Sequence, residues 1–210
     1  MKKYITLFCL FTLNGFASAQ RTPDELLKIF QQYITGNFNN ENQVAAEIAK
    51  GKMLHPFAIH INRVIDDKIM NRPKGLPGFF LLEESYYLYE GKAIDTKPYL
   101  FLFQLINDST IHLTTYQLNG FNKDSVRNNN RSLQFDYKLL TASPTFKGAD
   151  YRWNKKEKSF STVSVNELGN GMRFTLTEKF TATRLQVMEL LEKDGKRITQ
   201  YDTPILYERK

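Results

Sequence analysis

From residue 57 to the C terminus, short apolar segments alternate with turn signals in a way that leaves no room for long helices. About nine segments have the composition or the two-residue periodicity of β-strands, and Asn119-Gly120 and Gly169-Asn170-Gly171 are typical turns between them. Segment 183–191 also fits a helix. The segments are 57–65, 79–89, 99–106, 110–118, 133–140, 159–167, 173–180, 183–191 and 197–207. This pattern predicts a mainly β fold, one antiparallel β-barrel of about 8–10 strands.

Two short helices are predicted ahead of the strands. Thr22 suits the N-cap of the first helix, Pro23 its first position, and Glu25 can complete a capping box. Apolar residues then recur on one helical face, at Leu26, Leu27, Phe30, Tyr33 and Ile34. Asn40 is predicted to cap the second helix, with Gln43 reaching back to it.

Residues 1–19 have the order of a cleavable secretory signal: Lys2 and Lys3, an apolar stretch, and Ala17-Ser18-Ala19. The apolar stretch is shorter than the roughly 20 residues that span a bilayer. We therefore expect residues 20–210 to form one exported domain, located in the periplasm or secreted. Cleavage would also remove Cys9, the only cysteine, and with it any disulfide, thiolate metal site or cysteine nucleophile.

The charge pattern and the missing motifs exclude several classes of function. The 29 basic residues outnumber the 22 acidic ones without forming a long basic run, so no nucleic-acid partner is predicted. No later segment is apolar enough to span a membrane. The three histidines, His55, His60 and His112, lack metal-binding spacing, so no metal site is expected. A small-molecule ligand is the expected partner, and the sequence is compatible with either a monomer or a homo-oligomer.

Glu83 and Glu84 are adjacent in a predicted strand and must therefore point to opposite faces of the sheet. One of them faces the barrel interior, where a carboxyl needs a partner or a raised pKa. The alternative is an acid in a salt bridge at the barrel rim. Aromatic residues crowd this strand and the next, and they either fill the core or line a cavity for a planar or hydrophobic ligand. They are Phe79, Phe80, Tyr86, Tyr87, Tyr89, Tyr99, Phe101 and Phe103.

Four stretches, in order, resemble the CpcT/CpeT family of phycobiliprotein chromophore lyases. Residues 36–43, Gly-Asn-Phe-Asn-Asn-Glu-Asn-Gln, are similar to its G-x-F-x-N-x-x-Q signature, and residues 80–86, Phe-Leu-Leu-Glu-Glu-Ser-Tyr, resemble its F-Y-V-E-Q-A-Y strand. Pro98-Tyr99 is similar to the start of its P-Y-R-x-R segment, whose two arginines fall at Leu100 and Leu102. Phe146-Lys-Gly148 is similar to its F-x-G. The order holds from residue 24 to about 180.

The resemblance implies a lipocalin-like (calycin) barrel that binds a linear tetrapyrrole (bilin) and assists its covalent attachment to a partner protein. It implies Glu83 as the catalytic acid and a set of ligand-binding residues: Tyr86, Tyr99, Glu84, His60 and Arg63. The chain is then a lyase if the family activity is retained, with the bilin as substrate and no separate cofactor. One alternative is a non-catalytic periplasmic carrier of a small planar or hydrophobic ligand. The other is an interaction protein whose barrel is filled by its own side chains.

Overall fold

A computed structural model describes residues 22–89, 92–94 and 98–210. The predicted signal peptide, with Cys9, lies outside these described residues. None of the helices within them is both long and apolar enough to cross a membrane.

The helices are α1 (Pro23–Ile34) and α2 (Glu41–Ala49), with single 3-10 turns at Asp66–Lys68 and Tyr137–Leu139. The strands are β1 (Gly36–Asn39), β2 (Phe57–Val64), β3 (Ile69–Met70), β4 (Phe79–Tyr89), β5 (Lys92–Ile94), β6 (Tyr99–Asn107), β7 (Thr110–Tyr116), β8 (Phe135–Asp136), β9 (Ala149–Asn154), β10 (Ser159–Gly169), β11 (Met172–Phe180), β12 (Arg184–Lys193), β13 (Lys196–Arg197) and β14 (Ile205–Arg209).

Ten strands close into a ring in which each neighbouring pair is antiparallel. The order is β1-β2-β4-β6-β7-β9-β10-β11-β12-β14, and β14 pairs back with β1 through Phe38 opposite Arg209. The pairing of β11 with β12 runs from Met172 to Phe180 and closes the far side of the ring. A closed ring removes unpaired strand edges, which would otherwise invite association with other chains. The prediction of a mainly β, lipocalin-like barrel is confirmed.

Helix α1 packs into one end of the barrel. The predicted capping box forms, because the Thr22 hydroxyl accepts a hydrogen bond from the Glu25 N–H and the Glu25 carboxylate accepts one from the Thr22 N–H. Phe30, fully buried, is the centre of an aromatic cluster. Its ring centroid lies 4.9 Å from those of Phe103 and Phe160. This end of the barrel is a packed apolar core.

The start of α2 differs from the prediction. The Asn40 side chain does not cap the helix. It accepts a hydrogen bond from the Ala58 N–H and donates one to the Pro56 carbonyl oxygen, both at 2.8 Å. Gln43 does not reach back to Asn40 and instead accepts from the Leu206 N–H, also at 2.8 Å. Asn40 is 1 % exposed, and buried polar groups of the neighbouring strands need partners, so these tertiary contacts prevail over a local cap.

Several strands differ from those predicted. The barrel strands β1 and β9 were not predicted, since both are short and contain many polar residues. Each of these two strands is hydrogen-bonded to a neighbouring strand on both sides. The sequence of the segment itself does not reveal these neighbours. Segment 133–140 supplies only β8 and a 3-10 turn, segment 197–207 divides into β13 and β14, and segment 183–191 lies within strand β12.

The connection from residue 117 to residue 148 covers the outer face of β4 and β6. The run of apolar residues that begins β4 is therefore buried on both sides: Phe79 and Leu81 point into the barrel, while Phe80 and Leu82 point outward. A continuous apolar run is typical of a strand buried on both faces. The outward side chains belong to a second core, made of Ile65, Ile69, Phe80, Leu82, Leu100, Leu102, Val126, Leu133 and Phe135.

Candidate ligand-binding cavity

The barrel interior beside the α1 core holds a cavity of about 520 Å³. That volume lies within the range of about 300–1,000 Å³ that is usual for small-molecule sites. Strand alternation selects the residues that line it, because only every second side chain points inward. Its aromatic wall consists of Tyr87, Tyr99, Phe101, Phe103, Phe146, Tyr151 and Phe174.

Three of the six predicted site residues line this cavity: His60 from β2, Glu83 from β4 and Tyr99 from β6. Glu83 lies directly opposite Tyr99 in the sheet, and His60 is opposite Ser85 on the other side of β4. The inward member of the adjacent carboxyl pair is therefore Glu83. These three residues come from strands that are neighbours in the ring, so their side chains share one wall.

The other three predicted site residues, Glu84, Tyr86 and Arg63, do not line the cavity. Glu84 points outward and is 5 % exposed. It accepts hydrogen bonds from the Tyr86 hydroxyl and the Asn128 N–H, both at 2.5 Å, and its carboxylate lies 3.8 Å from Arg127 Nε. Burial and the hydrogen bond to Glu84 raise the pKa of Tyr86 to about 12.

The predicted residue Arg63 also lies on the outer face of the barrel, on β2. Its guanidinium donates to the Asn37 side-chain oxygen at 2.6 Å and to the Asn62 carbonyl oxygen at 2.9 Å. Arg63 therefore ties β2 to β1, and its charge is directed away from the cavity.

A polar network runs along the cavity wall through His60. Its Nδ1 lies 3.5 Å from a Glu83 carboxylate oxygen, and its Nε2 lies 3.5 Å from the Tyr87 hydroxyl. Ser85 donates to Glu83 at 3.0 Å, and Tyr87 donates to Glu189 at 3.4 Å. One chain of contacts thus joins Glu83 on β4 to Glu189 on β12.

The environment favours the charged forms of both Glu83 and His60. Burial opposes ionisation of Glu83, but the charge of His60 and hydrogen bonds from His60 and Ser85 outweigh it, so the pKa of Glu83 lies below its usual range. Burial likewise opposes protonation of His60. The charge of Glu83, with smaller contributions from Glu189 and Glu178, outweighs burial and raises the pKa of His60 above its usual value. Both shifts favour an ion pair between these two side chains.

Two further carboxyls, Glu178 on β11 and Glu189 on β12, line the cavity and were not predicted. Burial, together with the charge of Glu83, raises the pKa of Glu178 to about 7, although Tyr151 donates a hydrogen bond to this carboxyl. Burial also raises the pKa of Glu189, against the opposing effect of His60. Both carboxyls therefore hold protons at a pH where an exposed glutamate has lost its own.

The sequence does carry a signal for these two acids. Glu178 falls between Leu176 and Phe180 in an alternating apolar row, and Glu189 falls between Val187 and Leu191 in another. A single acid in the inward row of a strand is placed inside the barrel by the two-residue period alone. The same argument was applied to Glu83 and Glu84, and it extends to both of these positions.

The family-like motifs divide between cavity wall and scaffold. Phe146, Gly148 and Tyr99 line the cavity. Gly148 has φ +92°, and a side chain there would meet the Leu113 carbonyl oxygen, so glycine is required for this close approach. Residues 36–43 instead build the corner between β1 and α2. Leu100 and Leu102, at the positions of the family's two arginines, point outward into the second core.

No family model matches this chain, and a search of curated proteins finds no match. Among solved structures, the chain is similar to the selenomethionine form of a CRL protein of Arabidopsis, with a TM-score of 0.59 and 9 % sequence identity. The match covers 90 % of this chain and 100 % of that chain. A likeness at this identity shows the fold alone. Fold and cavity together define the class: a closed β-barrel with an interior of ligand size. Membership of the CpcT/CpeT family stays a prediction.

Proposed function

We propose that this barrel is a non-catalytic carrier that binds one small molecule with a planar or hydrophobic body. The observation that carries the proposal is the cavity of about 520 Å³ with its aromatic wall. Flat apolar walls with a few polar groups are typical of sites that bury most of a small ligand. An interaction protein whose barrel is filled by its own side chains would not need this space, because protein interiors are close-packed.

The second candidate is a bilin lyase, as the CpcT/CpeT-like motifs imply. The observation that favours it is the His60–Glu83 pair on the cavity wall, which can move a proton to or from a bound ligand. The N–H groups of a linear tetrapyrrole can also donate hydrogen bonds to carboxylates. In this function an acceptor cysteine of another protein adds its S–H across a carbon–carbon double bond of the bilin, so no oxidant is required.

We also propose that the carrier works outside the cytoplasm. The support is the order of Lys2 and Lys3, the apolar stretch and Ala17-Ser18-Ala19. Mass spectrometry of the protein recovered from the periplasm or the medium is expected to show an N terminus at Gln20. Recovery from the cytoplasm with an intact Met1 terminus would contradict this proposal.

N-phenyl-1-naphthylamine, a neutral probe that fluoresces in apolar surroundings, tests the carrier function directly. We expect saturable binding of one probe per chain at pH 7. Leu176→Trp fills the cavity and is expected to abolish binding, because Leu176 lines the cavity wall. The control, Thr177→Trp, places the same bulk on an exposed neighbour and should bind normally. Equal binding by both variants would contradict an interior site.

Biliverdin and phycocyanobilin test the second candidate. A lyase that binds bilin is expected to shift the visible absorption of the pigment, and Leu176→Trp should remove that shift. Glu83→Gln is then expected to retain binding and to lose transfer to an acceptor cysteine. If the naphthyl probe binds and the bilin spectrum does not change, the carrier function is supported and the bilin lyase function is excluded.

A further inference from the structure

The charged groups of the cavity have one predominant sign. Three carboxyls, Glu83, Glu178 and Glu189, and one imidazole, His60, line it. Among the described residues of its wall, none is lysine or arginine. The sequence has 29 basic residues, yet none of the described ones lines this wall. This distribution is opposite to the one that an anionic ligand needs, since carboxylate ligands are usually held by arginine.

The His60–Glu83 pair neutralises itself and leaves two acids. Their carboxyls, on Glu178 and Glu189, each receive a hydrogen bond from one tyrosine, Tyr151 and Tyr87 respectively. A carboxylate has about four acceptor sites, so one hydroxyl leaves most of this capacity unused. These two groups come from adjacent strands, β11 and β12, and lie on the same side of the ring.

A second, independent observation is the amide of Asn62. It is 1 % exposed and lines the cavity. Its Nδ2 donates to the Ile34 carbonyl oxygen at 3.0 Å, whereas its Oδ1 has no hydrogen-bond partner among the described residues. A buried acceptor without a donor costs about 1–3 kcal/mol, so it calls for a donor that the protein itself does not supply.

The carboxyls are not arranged as a metal site. In residues 22–89, 92–94 and 98–210, no group of three or more His, Cys, Asp or Glu side chains is placed to hold a metal ion. The acids are instead spread over a cavity whose other walls are aromatic, including Tyr99 stacked on Phe101 with ring centroids 5.9 Å apart. Aromatic faces attract organic cations, and this attraction grows when water is excluded.

We infer that the ligand of this cavity is a small organic cation, a protonated amine attached to an aromatic or aliphatic body. The inference rests on the proposed carrier function and specifies its ligand class. The aromatic wall receives the apolar body, and the carboxyls of Glu178 and Glu189 accept the N–H groups of the ammonium. A cation there takes the place of the protons that these carboxyls otherwise hold.

Binding is therefore linked to pH. Titratable groups from every side face the two acids: His60 on β2, Glu83 and Tyr87 on β4, Tyr99 on β6, Tyr151 on β9, Tyr201, and Tyr207 on β14. As the pH rises from 6 to 8, Glu178, whose pKa is about 7, loses its proton. The carboxylate that results favours a cation. An alkylamine stays protonated throughout, so its affinity is expected to rise by roughly tenfold.

Three ligands with the same ring system test the charge preference: 2-(1-naphthyl)ethylamine, 2-(1-naphthyl)ethanol and 1-naphthylacetate. Each competes with N-phenyl-1-naphthylamine on the purified protein at pH 6, 7 and 8. At pH 8 the amine is expected to bind at least about tenfold more tightly than the alcohol, and the acetate more weakly than either. Only the amine should show the rise in affinity with pH.

Two isosteric variants locate the effect. Glu178→Gln and Glu189→Gln are each expected to weaken amine binding by about three- to thirtyfold, while alcohol binding stays within about twofold. The control is Glu167→Gln on β10, whose side chain is 73 % exposed, and it should change neither. Retained alcohol binding also shows that each variant is folded.

The outcomes distinguish a failure of the cation inference from a failure of the carrier function. If the alcohol binds as tightly as the amine, or if neither glutamine variant weakens the amine, the cation inference is wrong and the carrier function stands. If the neutral probe itself does not bind, the carrier function fails and the cation inference fails with it. A preference for the acetate would point to an anionic ligand and overturn the inference outright.

Discussion

The two faces of strand β4 hold adjacent glutamates in opposite situations. On the outer face, Glu84 accepts two hydrogen bonds and lies near Arg127 under the 117–148 connection. On the inner face, Glu83 contacts His60 and Ser85, and beyond them lie two more acids and the cavity. One carboxylate is satisfied by its own chain, whereas the other belongs to a group of acids with unused acceptor capacity.

The difference distinguishes a structural acid from an acid available to a ligand. Glu84 holds the covering connection to the barrel, because its partners Asn128 and Arg127 both belong to that connection. Removing one partner from a buried group of this kind is strongly destabilising, because the remaining partners are left unpaired. Two of the inner acids, Glu178 and Glu189, have raised pKa values and no lysine or arginine on the cavity wall beside them, which costs stability when both are ionised. Such a cost is common at functional sites.

The largest expected effect is on the outer face. Glu84→Leu removes the acceptor for the Asn128 N–H and the Tyr86 hydroxyl and leaves Arg127 without its carboxylate. We expect a loss of about 3 kcal/mol in the free energy of unfolding, measured by urea denaturation at pH 7. Binding of the naphthyl probe to the folded fraction should not change. A loss below about 1 kcal/mol would show that Glu84 does not hold the connection.

On the inner face, Glu178→Gln is expected to stabilise the protein, and only at higher pH. The unfolded carboxyl loses its proton near pH 4.5, whereas the folded one keeps it up to about pH 7. Stability of the parent protein therefore falls as the pH rises through this interval. The variant should be more stable by about 2–3 kcal/mol at pH 8 and equal at pH 4. Urea denaturation at both pH values, with the exposed Glu167→Gln as control, measures this. Equal stability at pH 8 would contradict a buried, protonated Glu178.

A smaller effect concerns the ion pair. Glu83→Gln removes the main charge that raises the pKa of His60, so the imidazole is expected to titrate at lower pH in an NMR titration. The paired charges contribute stability above the unfolded pKa of Glu83, about 4.5, and below that of His60, about 6.5. The stability lost in the variant is therefore greatest between these pH values. Glu84→Gln, on the other face, should leave the His60 titration unchanged, and a shift there would contradict the separation of the two faces.

The smallest effect is expected at Arg63. Arg63→Gln removes hydrogen bonds to Asn37 and to the Asn62 carbonyl oxygen on the outer surface, at a cost of about 1 kcal/mol or less. Affinity for each of the three naphthyl ligands should stay within about twofold. A clear change in binding of the anionic ligand alone would show that the charge of Arg63 reaches the cavity.

Strand periodicity predicts much of this fold and part of the site. The alternation places Glu83 and Glu84 on opposite faces of the sheet. Which of the two faces the barrel interior follows only once the order of strands in the closed ring is known. The cap at Thr22 is local and was predicted correctly. The role of Asn40 was not, because its partners Pro56 and Ala58 are brought to it by the tertiary fold.

The remaining site residues depend on ring closure. Glu178 and Glu189 are more than 90 residues from Glu83 in sequence, and they share its cavity only because β11 and β12 complete the barrel. The family resemblance implied Tyr86 as a ligand-binding residue, yet the strand alternation directs its side chain outward with that of Glu84. The covering connection from 117 to 148, with few strand signals, could not be assigned to the outer face from its sequence.

A crystal structure of the protein with 2-(1-naphthyl)ethylamine at pH 8 shows directly whether the cavity binds an organic cation through its acids. We expect the naphthyl ring to lie against the aromatic wall and the ammonium nitrogen to lie within about 3 Å of a carboxylate oxygen of Glu178 or Glu189. The outer contacts of Glu84 should stay unchanged. An amine bound outside the barrel, or inside it with its nitrogen away from both acids, would contradict the assignment of Glu178 and Glu189 as cation acceptors.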